Sequence, residues 1–280
     1  MNLAIQHILL HATERIKAVS DSARLDSELL LAHALQQSRT WLHTWPEKPL
    51  TTEQQQQFSA LLSRRIKGEP IAHIIGEQEF WSLKLKVTAD TLIPRADTER
   101  LVELALERIP QQSFWNIADL GTGSGAIALA IAKERPGVEI IATDKSTKAL
   151  TIAEENAHLN QLNNIRFVRS FWFDDLDSHV FDMIISNPPY IAEHDPHLTQ
   201  GDVRFDPESA LTSGKNGLND LSHLIAKAPA YLKPGGWLLL EHGYDQADAV
   251  MSLMQQAGFE HCEDFPDYAG NPRVALGQHP

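Results

Sequence analysis

The feature that most constrains the fold is a regular alternation of strand-like and helix-like segments from residue 116 onward. Short apolar runs of the kind found in buried strands are separated by longer segments with helical spacing. The strand-like runs are Ile117–Leu120, Val138–Thr143, Ile165–Val168, Phe181–Ser186, Trp237–Glu241, Phe259–Glu263 and Arg273–Leu276. The helical segments are Gly125–Lys133, Thr147–Leu159, Leu218–Leu232 and Gln246–Ala257. This order predicts an α/β fold, with a mostly parallel sheet of seven strands covered by helices on both faces.

A different pattern precedes this region. The segment before residue 70 predicts three or four short helices, including one from Glu53 to Lys67 that Thr51 or Thr52 caps. Apolar and polar residues then alternate from 83 to 87, which indicates a hairpin or extended linker. A helix from Asp97 to Ile109 is expected next. The expected division is a helical N-terminal domain over 1–75, a β-hairpin or extended linker over 76–95 and an α/β domain over 96–280.

The turn after the first α/β strand carries a run of glycines. It reads Asp-Leu-Gly-Thr-Gly-Ser-Gly over residues 119–125 and joins a strand to a helix. Glycines at such a turn let the backbone bend tightly and approach a ligand closely. Asp144 ends the next strand, where a carboxylate can accept hydrogen bonds from two ribose hydroxyls. The pair predicts a nucleoside cofactor at the carboxyl edge of the sheet, and the glycine spacing alone also allows NAD.

A second motif, Ser-Asn-Pro-Pro-Tyr over residues 186–190, follows the fourth strand. Two successive prolines fix φ and remove two N–H donors. Asn187 adds a side-chain carbonyl and an NH2 group, and Tyr190 adds a flat aromatic face. This set suits a planar substrate that carries an NH2 group, such as an amide or a base amine. The two N–H groups would donate to the Asn187 side-chain oxygen and to the Pro188 backbone oxygen.

Together, the glycine loop, Asp144 and the Asn-Pro-Pro-Tyr motif resemble class I S-adenosylmethionine-dependent methyltransferases that act on a planar nitrogen. Over nearly the whole chain, the sequence resembles the release factor glutamine methyltransferases of the HemK/PrmC type. The segments that carry the resemblance are 64–81, 91–106, 186–191, 204–211, 238–246 and 271–277. The resemblance implies a Rossmann-like sheet after a small helical domain, with S-adenosylmethionine as cofactor and S-adenosylhomocysteine as its product. It implies methyl transfer to the N5 amide nitrogen of the glutamine in the Gly-Gly-Gln loop of class 1 peptide chain release factors.

The resemblance also implies roles for individual residues. Asn187, Pro188 and Tyr190 would be catalytic, and together with Pro189 they would hold the substrate amide. The cofactor would be held by Gly121, Thr122, Gly123, Ser124, Gly125, Asp144, Trp172, Asn187 and Asp119. Trp172 would lie beside the adenine. Asp119 would help to hold the methionyl ammonium, or else serve the electrostatics of the following helix N-terminus.

The chain departs from the family pattern in two places. Ala96-Asp97 stands where Pro-Glu is more common, and we expect Asp97 to cap the following helix. Phe171 stands before Trp172 where the family often has an acidic residue, so no carboxylate is expected there for the adenine amino group. Arg95 is expected either to contact the release factor or to form a surface salt bridge.

Charge separates the competing functions. The net charge is −13, and residues 1–75 carry 8 Lys and Arg against 7 Asp and Glu, so the α/β region carries the negative charge. A surface that holds nucleic-acid phosphates is usually basic, so no stable nucleic-acid binding is expected. An adenine-type nucleic-acid amino methyltransferase with the same Asn-Pro-Pro-Tyr site is the alternative. A nucleotide-binding oxidoreductase would leave that motif unexplained, and a binding module that senses the cofactor is a further alternative.

Composition bears on location and metals. The longest apolar run, Ala126–Ala132, is far below the ~20 residues that span a bilayer, so no membrane association is expected. The first residues lack the features of a signal peptide, and the single cysteine, Cys262, fits a cytoplasmic location. No metal site is expected, because His194 and His197 lie in a loop that contains Pro196.

Overall fold

The structure, a computed structural model, describes residues 3–176 and 179–280, so positions 1, 2, 177 and 178 of the predicted domains lie outside the described residues. The chain forms two compact units. The helical unit contains the residues up to Glu77 together with Thr199–Phe205, and the sheet unit contains Gln78–Leu198 and Asp206–Pro280. The segment Thr199–Phe205 thus belongs to the helical unit, although it lies far along the chain.

The described part of the helical unit contains five α-helices. They are α1 (Ile5–Ile16), α2 (Ala23–Leu35), α3 (Arg39–Thr44), α4 (Thr52–Ile66) and α5 (Ile71–Ile75). Apolar side chains at helical spacing, such as Ile5, Leu9 and Ile16 of α1, are buried in one core cluster. α4 begins at the predicted cap, because Thr51 and Gln54 bond each other's backbone N–H groups in a capping box. The first four helices fit the prediction, and α5 is an element that the sequence pattern does not predict.

The described part of the sheet unit contains one large sheet. Its strands are β3 (Asn116–Leu120), β4 (Glu139–Asp144), β5 (Ile165–Arg169), β6 (Phe181–Ser186), β7 (Leu232–Glu241), β8 (Glu260–Pro266) and β9 (Pro272–Gln278). Their order is β5-β4-β3-β6-β7-β9-β8. β3 to β7 pair in parallel, and β9 runs antiparallel to β7 and β8. The prediction of a mostly parallel sheet of seven strands is confirmed.

Helices accompany the strands and bury both faces of the sheet. They are α6 (Thr98–Arg108), α7 (Ala126–Glu134), α8 (Thr147–Leu159), α9 (Asn219–Lys227) and α10 (Ala247–Gln256). Successive residues of β3 belong to different core clusters: Ile117 lies in one, and Ala118 and Leu120 lie in the other. This alternation is expected for a strand that is covered on both sides. Among the described residues, no helix is both long and apolar enough to cross a membrane.

The predicted hairpin is formed by β1 (Glu77–Phe80) and β2 (Leu83–Lys86). Its turn residues, Trp81 and Ser82, have φ values of +51° and +53°, which bulky side chains rarely adopt. The backbone N–H of Trp81 donates to Glu99, and its indole N–H donates to Glu134. Lys133 donates to the Trp81 carbonyl oxygen. The unusual turn is therefore held by side chains of α6 and α7.

Two local predictions are wrong. The helix expected over Leu218–Leu232 ends at Lys227, because a 3₁₀ turn follows over Ala228–Tyr231 and Leu232 already pairs with Phe181 in the sheet. Pro229 cannot donate the backbone hydrogen bond that a continued α-helix requires. The Asp97 side chain makes no capping hydrogen bond, because the backbone of Asp97 is itself helical (φ −62°, ψ −31°) rather than extended.

A buried ion pair in the helical unit leads to a stability prediction. Arg65 Nε donates to Asp26 Oδ2 at 2.7 Å, and each side chain is only 6% exposed. Removing one partner of such a pair leaves a buried charge uncompensated and lowers the free energy of unfolding by about 3–5 kcal/mol. Because the helical unit then opens more often, we expect Arg65→Met to accelerate amide hydrogen exchange in α2 and α4. Lys17→Met, which breaks the exposed pair with Glu14, is the control and should lower the free energy of unfolding by at most about 1 kcal/mol. Equal exchange in the two variants would contradict the prediction.

Candidate active site

A cavity opens at the carboxyl ends of β3, β4, β5 and β6, within the sheet unit. Its wall includes the turns after these strands, the first turns of α7 and α8, and residues from the segments 90–98 and 207–210. The cavity wall includes Gly121, Thr122, Gly123, Ser124, Asp144, Trp172, Asn187 and Pro189. Four other predicted site residues are not part of this wall, but each lies within two residues of one that is: Asp119, Gly125, Pro188 and Tyr190. The structure thus brings all of the predicted site residues to one edge of the sheet.

The glycine loop after β3 depends on positive φ angles. Gly121, Gly123 and Gly125 have φ values of +73°, +57° and +86°, a region that favours glycine. A Cβ on Gly121 would lie 3.0 Å from the Trp172 ring, and a Cβ on Gly125 would lie 3.2 Å from the Ala153 Cβ. Gly123 has open space around it, so a ligand can approach its backbone. The loop therefore packs tightly at its two ends and is accessible in the middle.

Asp144 fixes the accessible part of this loop. Its Oδ2 accepts the Gly123 backbone N–H at 3.0 Å, and its Oδ1 accepts the Ser146 backbone N–H at 2.8 Å. Burial raises the pKa of Asp144, and the two backbone donors oppose that shift. Each carboxylate oxygen has further lone-pair capacity, so both can still accept a hydroxyl donor from the cavity.

Asp119 is fully buried behind the loop. Its Oδ2 accepts from the Thr122 hydroxyl at 2.6 Å and from the backbone N–H of Ala128, in the first turn of α7, at 3.2 Å. Its Oδ1 is buried and makes no hydrogen bond to the described residues. Burial raises the pKa of Asp119 to about 7, against the two hydrogen bonds that lower it. Asp119 was expected either to help hold the methionyl ammonium or to interact with the N-terminus of the following helix. Its hydrogen bonds with Thr122 and Ala128 favour the second role.

Trp172 is held from the side opposite the glycine loop. Its φ is +52°, and its indole N–H donates to Asp220 Oδ1 at 3.1 Å. Asp220 in turn accepts the Ser213 hydroxyl on Oδ2 at 2.7 Å. Phe171 lies beside it, half exposed, with ring centroids 6.0 Å apart. Asp220 and Ser213 are not predicted from the sequence, since nothing in the local spacing connects them to Trp172.

The Asn-Pro-Pro-Tyr segment is joined to two distant elements by hydrogen bonds. Asn187 Nδ2 donates to Thr98 Oγ1 at 3.1 Å. Thr98 Oγ1 donates to Glu241 Oε2 at 2.7 Å, and the Tyr190 hydroxyl donates to Glu241 Oε1 at 3.1 Å. Burial raises the pKa of Glu241, while its bond with Thr98, the Arg273 charge and its bond with Tyr190 oppose the shift. Burial also raises the pKa of Tyr190, so it remains a neutral phenol that can donate.

Tyr190 was expected to offer its flat aromatic face to the substrate amide. The ring of Tyr190 packs against the core cluster that contains β7 and α9 residues, while its hydroxyl is held by Glu241. Thr98 is a partner of Asn187 that the sequence does not predict. An acidic residue at the end of the apolar run of β7 is the one signal that could have indicated a buried polar network at this edge.

Two further expectations concern Arg95 and the loop histidines. Arg95 lines the cavity and forms an ion pair with Asp206, whose Oδ1 also accepts the Ile93 backbone N–H. Arg95 thus forms an ion pair with a buried carboxylate rather than the expected surface salt bridge. His197 Nδ1 lies 2.6 Å from Asp195 Oδ1 in an exposed loop. Among the residues that the structure describes, no group of three potential metal ligands is found.

The raised pKa of Asp119 predicts a pH dependence. Because the folded chain keeps this proton up to a pH of about 7, against 3.8 ordinarily, it binds more protons than the unfolded chain in that window. This group's contribution therefore makes stability fall as pH rises from 4 to 7. We compare the free energy of unfolding of Asp119→Asn with that of the wild type, by urea unfolding without ligand. The value for the variant minus that for the wild type should increase from pH 5 to pH 8. Asp174→Asn, at an exposed position, should keep a constant difference. A constant difference for Asp119→Asn would contradict the assignment.

Two family models match the chain, and solved methyltransferases share its fold. The PrmC N-terminal domain family model matches residues 7–76, and the methyltransferase small domain model matches residues 98–203. A solved methyltransferase from Pyrococcus furiosus shares the fold, with a TM-score of 0.55 and 20% identity over 79% of this chain and 98% of that chain. A Thermus thermophilus 16S rRNA methyltransferase, solved with AdoMet and guanosine, has a TM-score of 0.51 and 19% identity over 73% of this chain and 50% of that chain.

Curated relatives match over the full length. The release factor glutamine methyltransferase of Aliivibrio fischeri is 47% identical, covering 99% of this chain and 98% of that protein. The release factor glutamine methyltransferase of Escherichia coli K12 is 50% identical, covering 98% of each. The resemblance noted in the sequence is confirmed. The chain belongs to the release factor glutamine methyltransferase family.

Proposed function

We propose that this protein transfers a methyl group from S-adenosylmethionine to the side-chain amide nitrogen of the glutamine in the Gly-Gly-Gln loop of class 1 release factors. The observation that carries this proposal is the position of Asn187. It lines the same cavity as the glycine loop and Asp144, and its NH2 group is already engaged by Thr98. The end of its amide that remains for a ligand is therefore an acceptor, which suits a substrate NH2 group.

The residues on the cavity wall fit S-adenosylmethionine. Gly123 offers an open backbone surface, Asp144 offers two carboxylate oxygens to ribose hydroxyls, and Trp172 offers an aromatic surface to the adenine. When bound, S-adenosylmethionine supplies the methyl group from a sulfonium, which is a good leaving group. Phe171 provides no carboxylate for the adenine amino group, so adenine recognition would rest on aromatic contact and on backbone groups.

The chain's own contribution to the reaction is alignment. A carboxamide nitrogen is a poor nucleophile, because its lone pair is delocalised into the carbonyl group. The Asn187 side-chain oxygen and the Pro188 backbone oxygen would each accept one N–H of the substrate. They would orient the nitrogen and stabilise the positive charge that develops on it as the new N–C bond forms. The proton lost from the nitrogen then passes to solvent. Pro189, on the cavity wall, limits how the amide plane can lie.

The division of the chain suggests how the partner is recognised. We assign substrate recognition to the N-terminal helical domain, the linker role to residues 76–95 and the methyl-transfer site to the α/β domain. A release factor acts in translation, so the proposed location is the cytoplasm. The alternative, an adenine-type nucleic-acid methyltransferase, shares the Asn-Pro-Pro-Tyr chemistry, but the net charge of −13 disfavours binding of a phosphate backbone.

Substitution of Asn187 tests the reaction. We expect the wild type to add one methyl group to the Gly-Gly-Gln peptide of a recombinant class 1 release factor, as measured by mass spectrometry. Asn187→Ala should lower turnover by about 10²–10³-fold, by analogy with the loss of one oxyanion-hole donor. Asn163→Ala, at an exposed position, is the control and should match the wild type. A wild-type enzyme that leaves the release factor unmodified, beside an active positive control, would overturn the proposal.

Substitution of Asp144 tests the cofactor assignment. Asp144→Ala removes both proposed ribose acceptors and the anchor of Gly123, so we expect the Kd for S-adenosylmethionine to rise at least about tenfold. Isothermal titration calorimetry measures this directly without the release factor. Asp248→Ala, an exposed position on α10, should leave the Kd unchanged. An unchanged Kd for Asp144→Ala would show that the ribose is held elsewhere.

A further inference from the structure

We infer that Thr98 and Glu241 are positioning residues, which together determine which end of the Asn187 amide faces the substrate. The inference rests on the proposed function, because it assigns a task to Asn187 in methyl transfer. Thr98 is the first residue of α6, Asn187 follows β6 and Glu241 is the last residue of β7. Three elements that are distant in sequence therefore meet at one hydrogen-bonded chain.

The direction of each hydrogen bond follows from the chemistry of the groups. Glu241 accepts on both of its carboxyl oxygens, from the Tyr190 hydroxyl on Oε1 and from the Thr98 hydroxyl on Oε2 at 2.7 Å. A hydroxyl has a single proton, so Thr98 Oγ1 can only accept from its other neighbour. That neighbour is the Asn187 amide, whose nitrogen lies 3.1 Å away. The amide must therefore present its NH2 group to Thr98.

The remaining end of the amide is then fixed as well. The oxygen of Asn187 is left for the cavity, where the proposed reaction needs an acceptor. A rotation of 180° about χ2 would exchange oxygen and nitrogen, which have nearly the same size. In that orientation the Asn187 NH2 group would meet the substrate NH2 group, donor against donor. Hydrogen-bond direction, and not shape, must therefore select the productive orientation.

Burial strengthens this selection. Thr98 is 4% exposed and Glu241 is 1% exposed, so water has little access to replace either partner. A buried polar group that lacks its partner is costly, which disfavours the flipped amide. The same carboxylate accepts the Tyr190 hydroxyl at 3.1 Å, so Glu241 fixes both polar ends of the Asn-Pro-Pro-Tyr segment.

The test replaces the Thr98 hydroxyl by a methyl group of similar size. In Thr98→Val the Asn187 NH2 group loses its acceptor and finds a new one only by turning towards the cavity, so one ordinary hydrogen bond then favours the flipped orientation about five- to tenfold. We therefore expect Thr98→Val to lower kcat by about this factor. The KM for the release factor and the Kd for S-adenosylmethionine should stay within about twofold of the wild type. Thr98→Ser keeps the hydroxyl and should restore kcat to within about threefold of the wild type.

Thr143→Val is the matched control. Thr143 is also buried in the sheet unit, but its hydroxyl makes no hydrogen bond to the described residues. The same substitution there should leave kcat unchanged, so a loss confined to Thr98→Val cannot come from a buried Thr-to-Val change in general. Thermal unfolding of each variant shows whether its fold is retained.

A double-mutant cycle distinguishes positioning from a general structural effect. If Thr98 acts through Asn187, Thr98→Val should have little further effect on the residual rate of Asn187→Ala. An equal loss in both backgrounds would overturn the inference, as would a kcat for Thr98→Val within twofold of the wild type. If the wild type itself methylates no release factor, the proposed function fails and the inference with it. If the wild type is active and Thr98→Val equals it, only the inference fails.

Discussion

The site depends on the point at which the strand order of the sheet reverses. From β3, the chain adds β4 and β5 on one side and then returns to place β6 and β7 on the other side. At such a switch point the loops after neighbouring strands diverge and leave a crevice at their carboxyl ends. The glycine loop follows β3, Asp144 ends β4 and Asn187 follows β6. One topological constraint therefore brings the proposed cofactor and substrate groups to the same opening.

Much of this arrangement could be predicted from sequence, because it depends on local rules. Strand and helix periods, the glycine run and the two prolines each act over a few residues and predict the sheet, its order of elements and the edge that carries the site. The networks behind the site could not be predicted in this way. Thr98 and Glu241 are 143 residues apart, and Trp172 and Asp220 are 48 apart. No spacing within one segment indicates such pairs, and the end of α9 was missed because sheet pairing at Leu232 overrides helical periodicity.

Two buried carboxyl groups, of Asp119 and Glu241, support the site by accepting hydrogen bonds in fixed directions. Asp119 on β3 accepts from a loop hydroxyl and from the first turn of α7, and Glu241 on β7 accepts from two hydroxyls. Desolvation of a carboxylate is costly, and donors offset part of that cost. The hydroxyl groups that donate to these two residues are consequently held in one orientation. The loop and the Asn-Pro-Pro-Tyr segment therefore each rest on a buried acceptor.

The fixed orientation of the Asn187 amide matters because of the proposed substrate. Asparagine and glutamine side chains end in the same carboxamide group, so Asn187 would recognise a copy of its own functional group. Two amides can pair in more than one way, because each has a donor end and an acceptor end of nearly equal size. Only one pairing places the substrate nitrogen, rather than its oxygen, at the acceptor in the cavity. An amide that recognises another amide must itself be held in one orientation, and Thr98 and Glu241 supply that constraint from outside the motif.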